Sequence, residues 1–270
     1  MTISSWDEVI AGMLPVTEII KGSSGTLTAG VPRSLYYIAG IPGAAAVSAD
    51  GVAGASLTTL AGQIPFNNPA AGYNYLARSV FGVNATGQLV LYDRLWHNSG
   101  LSVTSTSAQT INSVAFPARD DNGATAGVGV SLFVEIAATM GAASPAISVS
   151  YTNSDGTAGR TATNIIPVVS ASAKGDLYQI GLQAGDVGVS SIQSLTLSES
   201  WLSGTITLVA GRVISRFPIN SATVPVEKDA VSGAFPKLHN NSVPFMYWQD
   251  GNVASTTAVS ICGHIVYTNG

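Results

Sequence analysis

Three imidazoles, one thiol and a few carboxylates are the groups in this 270-residue chain that could do chemistry. His97 follows Asp93 by four positions in a segment that also holds Arg94 and Trp96. A general base oriented by a carboxylate could be built from such neighbours. The same spacing suits a polar residue that ends a strand before the Asn98-Ser99-Gly100 turn, and that plainer reading is the expected one. Cys262 and His264 are two apart, so a strand would point both the same way, but no Lys or Arg follows Lys237 to stabilise a thiolate. They are expected to be neighbours in a packed sheet. No Gly-x-Ser-x-Gly elbow supplies a nucleophilic serine.

Asp120-Asp121-Asn122-Gly123 and Asn153-Ser154-Asp155-Gly156 are oxygen-rich and could attract calcium. Neither has the spacing of a calcium hand, and Asx turns explain both more simply. The Gly127-Val-Gly129 stretch lacks the third glycine and the following helix of a dinucleotide fingerprint, and no phosphate-binding Gly-Lys-Ser/Thr loop occurs. Five Glu and ten Asp, mostly in turns, nominate no pair for sugar hydrolysis. The expectation is therefore a protein that is not an enzyme, with no catalytic residues, no cofactor and no metal. Trp6, Trp96, Trp201 and Trp248 could form a sugar-stacking platform, but anchors for a core or an interface are favoured.

The elements that would position these groups are mostly strands. Residues 146–152 alternate apolar Ile147, Val149 and Tyr151 with Ser148, Ser150 and Thr152, the period of a half-buried strand. Similar runs cover 88–96, 127–137, 194–197 and 205–209, and turn signals at 84–87, 121–123, 153–156 and 174–175 separate them. Ser5 with Glu8 three positions on is a capping box, and Trp6, Val9, Ile10 and Met13 recur at helical spacing before Pro15. The fold class is thus mainly β: an antiparallel sandwich or jelly-roll-like core with a short N-terminal helix and extended arms. Residues 1–72 are expected to be helix plus extended arm and 73–217 the sandwich. Residues 218–270 are expected to be a proline-punctuated extension of edge or connecting character, ending in a strand with Val259, Ile261, Gly263, Ile265 and Tyr267 on one side.

Composition narrows the partners. Charged residues are 10% of the chain against roughly 25% in average domains. The 55 Ser and Thr must then cover much of the exterior. So few charges protect poorly against association, which points to a homo-oligomer or a surface occupied by neighbours. Net charge −4 and 11 scattered Lys and Arg argue against direct nucleic-acid contact. No 18-residue apolar run spans a membrane, and the start lacks a secretory pattern, so synthesis in a cytoplasm is expected. Cys262 has no cysteine partner within the chain.

At Leu91-Tyr-Asp-Arg-Leu-Trp-His-Asn-Ser-Gly-Leu101 and at Val149-Ser-Tyr-Thr-Asn-Ser-Asp-Gly-Thr-Ala-Gly-Arg-Thr161 the sequence resembles structural proteins of tailed bacteriophages and related prophages. The resemblance covers about 73–219 and implies a virion component without catalytic residues. Capsid decoration or cement protein is the leading role, with the major capsid protein or other virion proteins as partners. A neck or tail ring component is the first alternative, and a carbohydrate-binding module for host adhesion the second. Inter-subunit contact is assigned to Trp6, Val9, Ile10 and Met13, with Trp6 foremost because its arm is too short to bury it.

Overall fold

The computed structural model describes residues 3–222, 224–232, 235–251 and 256–270. Helix α1 (Trp6–Ala11) opens on the expected capping box. Ser5 Oγ accepts from the Glu8 N–H at 3.3 Å while the Glu8 carboxylate accepts from the Ser5 N–H at 3.1 Å. The chain then continues through β1 (Thr17–Lys21), β2 (Arg33–Ser34), β3 (Gly40–Ile41), β4 (Ala55–Ser56), β5 (Asn74–Val83) and β6 (Gly87–His97). Next come β7 (Gln109–Thr110), β8 (Val130–Ala138), β9 (Ile147–Asn153), β10 (Arg160–Asn164), β11 (Leu177–Gly181) and β12 (Val189–Leu197). Last are β13 (Thr205–Ile219), β14 (Val226–Asp229), β15 (Lys237–Leu238), β16 (Pro244–Asp250) and β17 (Ile261–Asn269).

All pairings between these strands are antiparallel and build two sheets. The smaller runs β14-β5-β17-β1-β3 with β15 beside β5. The larger runs β2-β16-β6-β13-β8-β11-β10-β9-β12-β7 with β4 beside β6, and part of it curls into a half-barrel. Strand β9 obeys the alternation seen in its residues. On β9, Ile147, Val149, Tyr151 and Asn153 are buried while Ser148, Ser150 and Thr152 are partly exposed. The inward side chains join Trp96, Leu132, Ile192, Leu195, Trp201 and Leu208 in the half-barrel core.

Two further cores share the central strands. Between the sheets, Ile19, Phe81, Ile265 and Tyr267 meet Leu89, Leu91, Phe217, Met246 and Trp248. On the other face of the large sheet, Val90, Tyr92, Phe133, Phe245 and Tyr247 pack with Tyr36, Ala45 and Leu57. Strands β6, β8 and β13 are therefore buried on both faces, which explains why they read as nearly unbroken apolar runs.

The segment between β1 and β5 is a strap laid on the chain's own sheets. Leu35, Leu57 and Ile64 donate backbone N–H groups to Met246, Leu95 and Pro244 at 3.0, 2.9 and 2.9 Å. Its start is clamped by Lys21, whose buried ammonium donates to the carbonyls of Ile38, Pro42 and Gly43 at 3.1, 2.7 and 3.3 Å. Burial lowers that amine to about 8. The proline-rich end gives one edge strand, β14, as anticipated, but β16 lies between β2 and β6 instead of at a margin. Pro244 is tolerated there because it is the first residue of its strand. The last strand, β17, sits between β5 and β1, so the two ends of the chain pair with each other.

Removing an inward methyl cluster should therefore cost far more than trimming an outward hydroxyl on the same strand. Ile147→Ala should lower stability by about 2–5 kcal/mol in urea unfolding, and Ser148→Ala should change it by no more than about 0.5 kcal/mol.

Candidate functional site

Two arrangements could carry function: a buried polar network around β6 and an exposed apolar stripe on α1 and β1. The network begins where β6 places Asp93 and Arg94, both fully buried, inside an apolar run. Arg94 makes a bidentate pair with Glu135 of β8, Nη2–Oε2 2.9 Å and Nη1–Oε1 3.2 Å, with neither side chain exposed. Its guanidinium lies 4.1 Å from the centre of the Tyr36 ring, and Nη1 also donates to Tyr92 Oη at 3.3 Å. Asp93 takes Arg119 through Nε at 2.9 Å and Nη2 at 3.1 Å. It also accepts from Ser242 Oγ at 3.0 Å and the Val243 N–H at 2.8 Å. Arg119 Nη1 donates to the Leu57 carbonyl at 2.7 Å, tying the strap to the same cluster.

His97 belongs to this network, but Asp93 does not orient it. Asp93 is occupied by Arg119, and the carboxylate that His97 meets is Asp50 in the strap, Nε2–Oδ2 2.9 Å. Arg94 Nε donates to His97 Nδ1 at 3.1 Å, which fixes the proton on Nε2. Burial, with the Arg94 charge beside it, lowers the imidazole to about 4. Both ring nitrogens are thus engaged and the side chain is 1% exposed, a geometry that holds the strap and leaves no free lone pair to accept a proton from a substrate.

The other sequence candidates resolve into fold chemistry. Asp120 makes the Asx turn: Oδ1 accepts from the N–H groups of Asn122 and Ala124 at 2.9 and 2.8 Å, Oδ2 from those of Gly127 and Val128 at 2.9 and 3.2 Å. Asn153 Oδ1 likewise accepts from Asp155 and Thr157 at 3.1 and 2.9 Å. Among the described residues no group of three His, Cys, Asp or Glu side chains could hold a metal ion. Cys262 is exposed on β17, and His264 lies two positions on along the same strand. Trp96, Trp201 and Trp248 are fully buried core anchors, so the four tryptophans do not form a sugar-stacking platform.

The stripe is built by the first elements. Trp6 and Ile10, one helical turn apart, are 56% and 64% exposed, and Met13, Val16, Ile20 and the Ile41 paired with Ile20 continue the exposed apolar series. Val9, on the opposite side of the turn, is buried, and its carbonyl accepts from Thr268 Oγ1 at 2.7 Å. Of the four residues assigned to an interface, three therefore face outward and Val9 faces the chain. The ionised groups on α1 and β1 outside the core are Asp7, Glu8 and Glu18, because Lys21 is buried. The helical spacing made α1 legible. Glu135, by contrast, was missed although a lone carboxylate in the run 130–137 is itself a signal that a buried partner must exist.

No protein-family model matches the chain, and no curated protein does. Among solved structures, the infectious bursal disease virus Gt strain is similar at 11% identity and a TM-score of 0.21, over 94% of this chain and 79% of that one. The VP2 subviral particle of infectious bursal disease virus is similar at 11% identity and a TM-score of 0.20, over 96% and 82%. Superpositions this loose do not bear on the chain's role.

Breaking the Arg94–Glu135 pair strands a buried charge. Glu135→Ala should cost about 3–5 kcal/mol in urea unfolding, and the double change Arg94→Met with Glu135→Leu should recover much of that loss. A Glu135→Ala protein of unaltered stability would remove the network from its structural role.

Proposed function

We propose that the chain is a non-enzymatic structural subunit of a virus particle, a capsid decoration or cement protein in the first instance, that binds its neighbours through α1 and β1. One observation carries the reading: the apolar side chains of Trp6, Ile10, Met13, Val16, Ile20 and Ile41 stand exposed in a succession that the fold leaves uncovered. Solvent does not favour such a surface, and aromatic and methionine side chains are the ones enriched where subunits meet.

The phage-like segments support the reading in a second way, because their distinctive residues are used up by folding. In the first, Asp93 and Arg94 form buried ion pairs. In the second, Asn153 closes a turn, while Tyr151 and Arg160 both bind Asp186, the arginine at 2.9 Å through Nε. Such residues keep a rigid slab in shape. Within the proposed arm, 1–72, contact falls on the first twenty residues and the adjoining Ile41, since much of the strap after β1 lies on the chain's own sheets. The acidic flanks Asp7, Glu8 and Glu18 suit a neighbour whose rim is basic.

A variant carrying Trp6→Ala, Ile10→Ser and Ile20→Ser should keep its circular dichroism spectrum and thermal transition. Its association, by light scattering and by incorporation into particles, should weaken at least tenfold, the scale of losing one interface anchor. Unchanged association at equal expression would refute the assignment. Copy number by gel densitometry separates the two virion roles, hundreds for a decoration protein against about six or twelve for a neck ring.

A further inference from the structure

We propose that His97 is an acid-sensitive latch: when a proton enters its Nδ1, the imidazole must leave Arg94, and residues 48–53 of the strap lift from β6. The geometry allows no other point of entry. Nε2 already carries the hydrogen given to Asp50, so Nδ1 holds the remaining lone pair, and the Arg94 Nε–H points at it. Protonation turns an acceptor into a donor facing a donor and sets two cations side by side.

Arg94 cannot yield. It is held by both oxygens of Glu135, by Tyr92 Oη and by the Tyr36 ring, and it has no exposed surface. The ring that moves is therefore His97, and its movement breaks the 2.9 Å link to Asp50. The groups facing His97 are Arg94 on β6, Glu135 on β8, and Asp50 and the Tyr36 ring on the strap. The two carboxylates favour the protonated ring, while burial and Arg94 favour the neutral one and outweigh them.

Beyond Asp50 the strap segment is tied to the end of β6 by few bonds. Gly51 and Ser99 exchange N–H to Oγ and N–H to carbonyl contacts at 2.9 Å each, Asn98 Nδ2 reaches the Val52 carbonyl at 3.1 Å, and Trp96 Nε1 the Ala53 carbonyl at 3.0 Å. Gly51, itself one of the tied residues, and Gly54, just beyond them, have φ of +74° and +71°, a region glycine reaches without a Cβ penalty. Lifting this stretch takes Val52 off the half-barrel core around Trp96.

The sign comes from proton linkage. The closed form holds His97 near 4 and the open form returns it to 6.5, so the open form binds more protons between those values and is favoured as pH falls. Amide-exchange protection of residues 48–53, corrected for intrinsic rates, should drop by about a hundredfold from pH 7 to pH 4. His97→Gln keeps an acceptor for Arg94 and a donor for Asp50 without a titrating ring, and it should abolish the drop. Asp50→Asn removes an attraction that raises the closed-form imidazole, which widens the gap to the open form, and should deepen the acid-induced drop. A His97→Gln protein with the wild-type response would overturn the latch. So would an Asp50→Asn protein with no response, or an NMR titration placing His97 near 6.5 in the closed protein. Should His97→Gln fail to fold, the deeper response of Asp50→Asn and the titration decide.

Discussion

A guanidinium and a carboxylate with no exposed surface at all, Arg94 and Glu135, set the condition that the rest of the structure has to meet. Taking such ions from water costs several kcal/mol each, and the loss is offset only when every donor finds a well-placed acceptor. Arg94 sits on β6 and Glu135 on β8, with β13 between them. Their bond can form only if β13 pairs with both neighbours in one register. At the crossing β13 carries Gly211 opposite Arg94, where a Cβ would come within 2.8 Å of the Tyr92 ring. A strand shifted by one residue would bury two unpaired charges, so the pair selects against slippage in a sheet whose apolar runs on β6 and β8 specify register poorly by themselves.

The strap answers to the same constraint. Arg94 needs a lid on its open side, which Tyr36 provides at 4.1 Å, and Arg119 needs the Leu57 carbonyl as well as Asp93. Residues far apart in the chain thus converge on two adjacent residues of β6. The strap is a covalent continuation of β1, and β1 pairs with the C-terminal β17. Order therefore spreads from the ionic pair through the strap to both ends of the chain, and α1 is presented outward from a fixed base.

The sequence made the alternation of β9, the turns at 121–123 and 153–156, and the capping box at Ser5 readable, because each depends on neighbours within a few residues. Long-range pairings leave no such trace. Nothing in the residues 17–21 names β17 as their partner, and the plain strand-end reading of His97 held no hint that Asp50 would meet its ring or that Arg119 would take Asp93. The exposed apolar residues were partly legible: helical spacing placed Trp6 and Ile10 on one side of α1, while Ile41 joined Ile20 only once β1 and β3 were seen to pair.

Charge placement explains why a stripe of that kind remains uncovered. Of 11 basic and 15 acidic side chains, nine lie buried: Lys21, Arg33, Asp93, Arg94, Arg119, Asp120, Glu135, Asp176 and Arg212. Seventeen are left for an accessible surface of 10549 Å². The interior thus uses a third of an already sparse supply to fix register, and the exterior is left to hydroxyls, glycine and apolar side chains. A free monomer with that exterior has little electrostatic protection against sticking to its own kind. In the proposed assembly the same exterior would be an advantage, because neighbouring subunits would displace water from it without having to desolvate charges. The inward use of charge and the outward apolar stripe are therefore two consequences of one allocation.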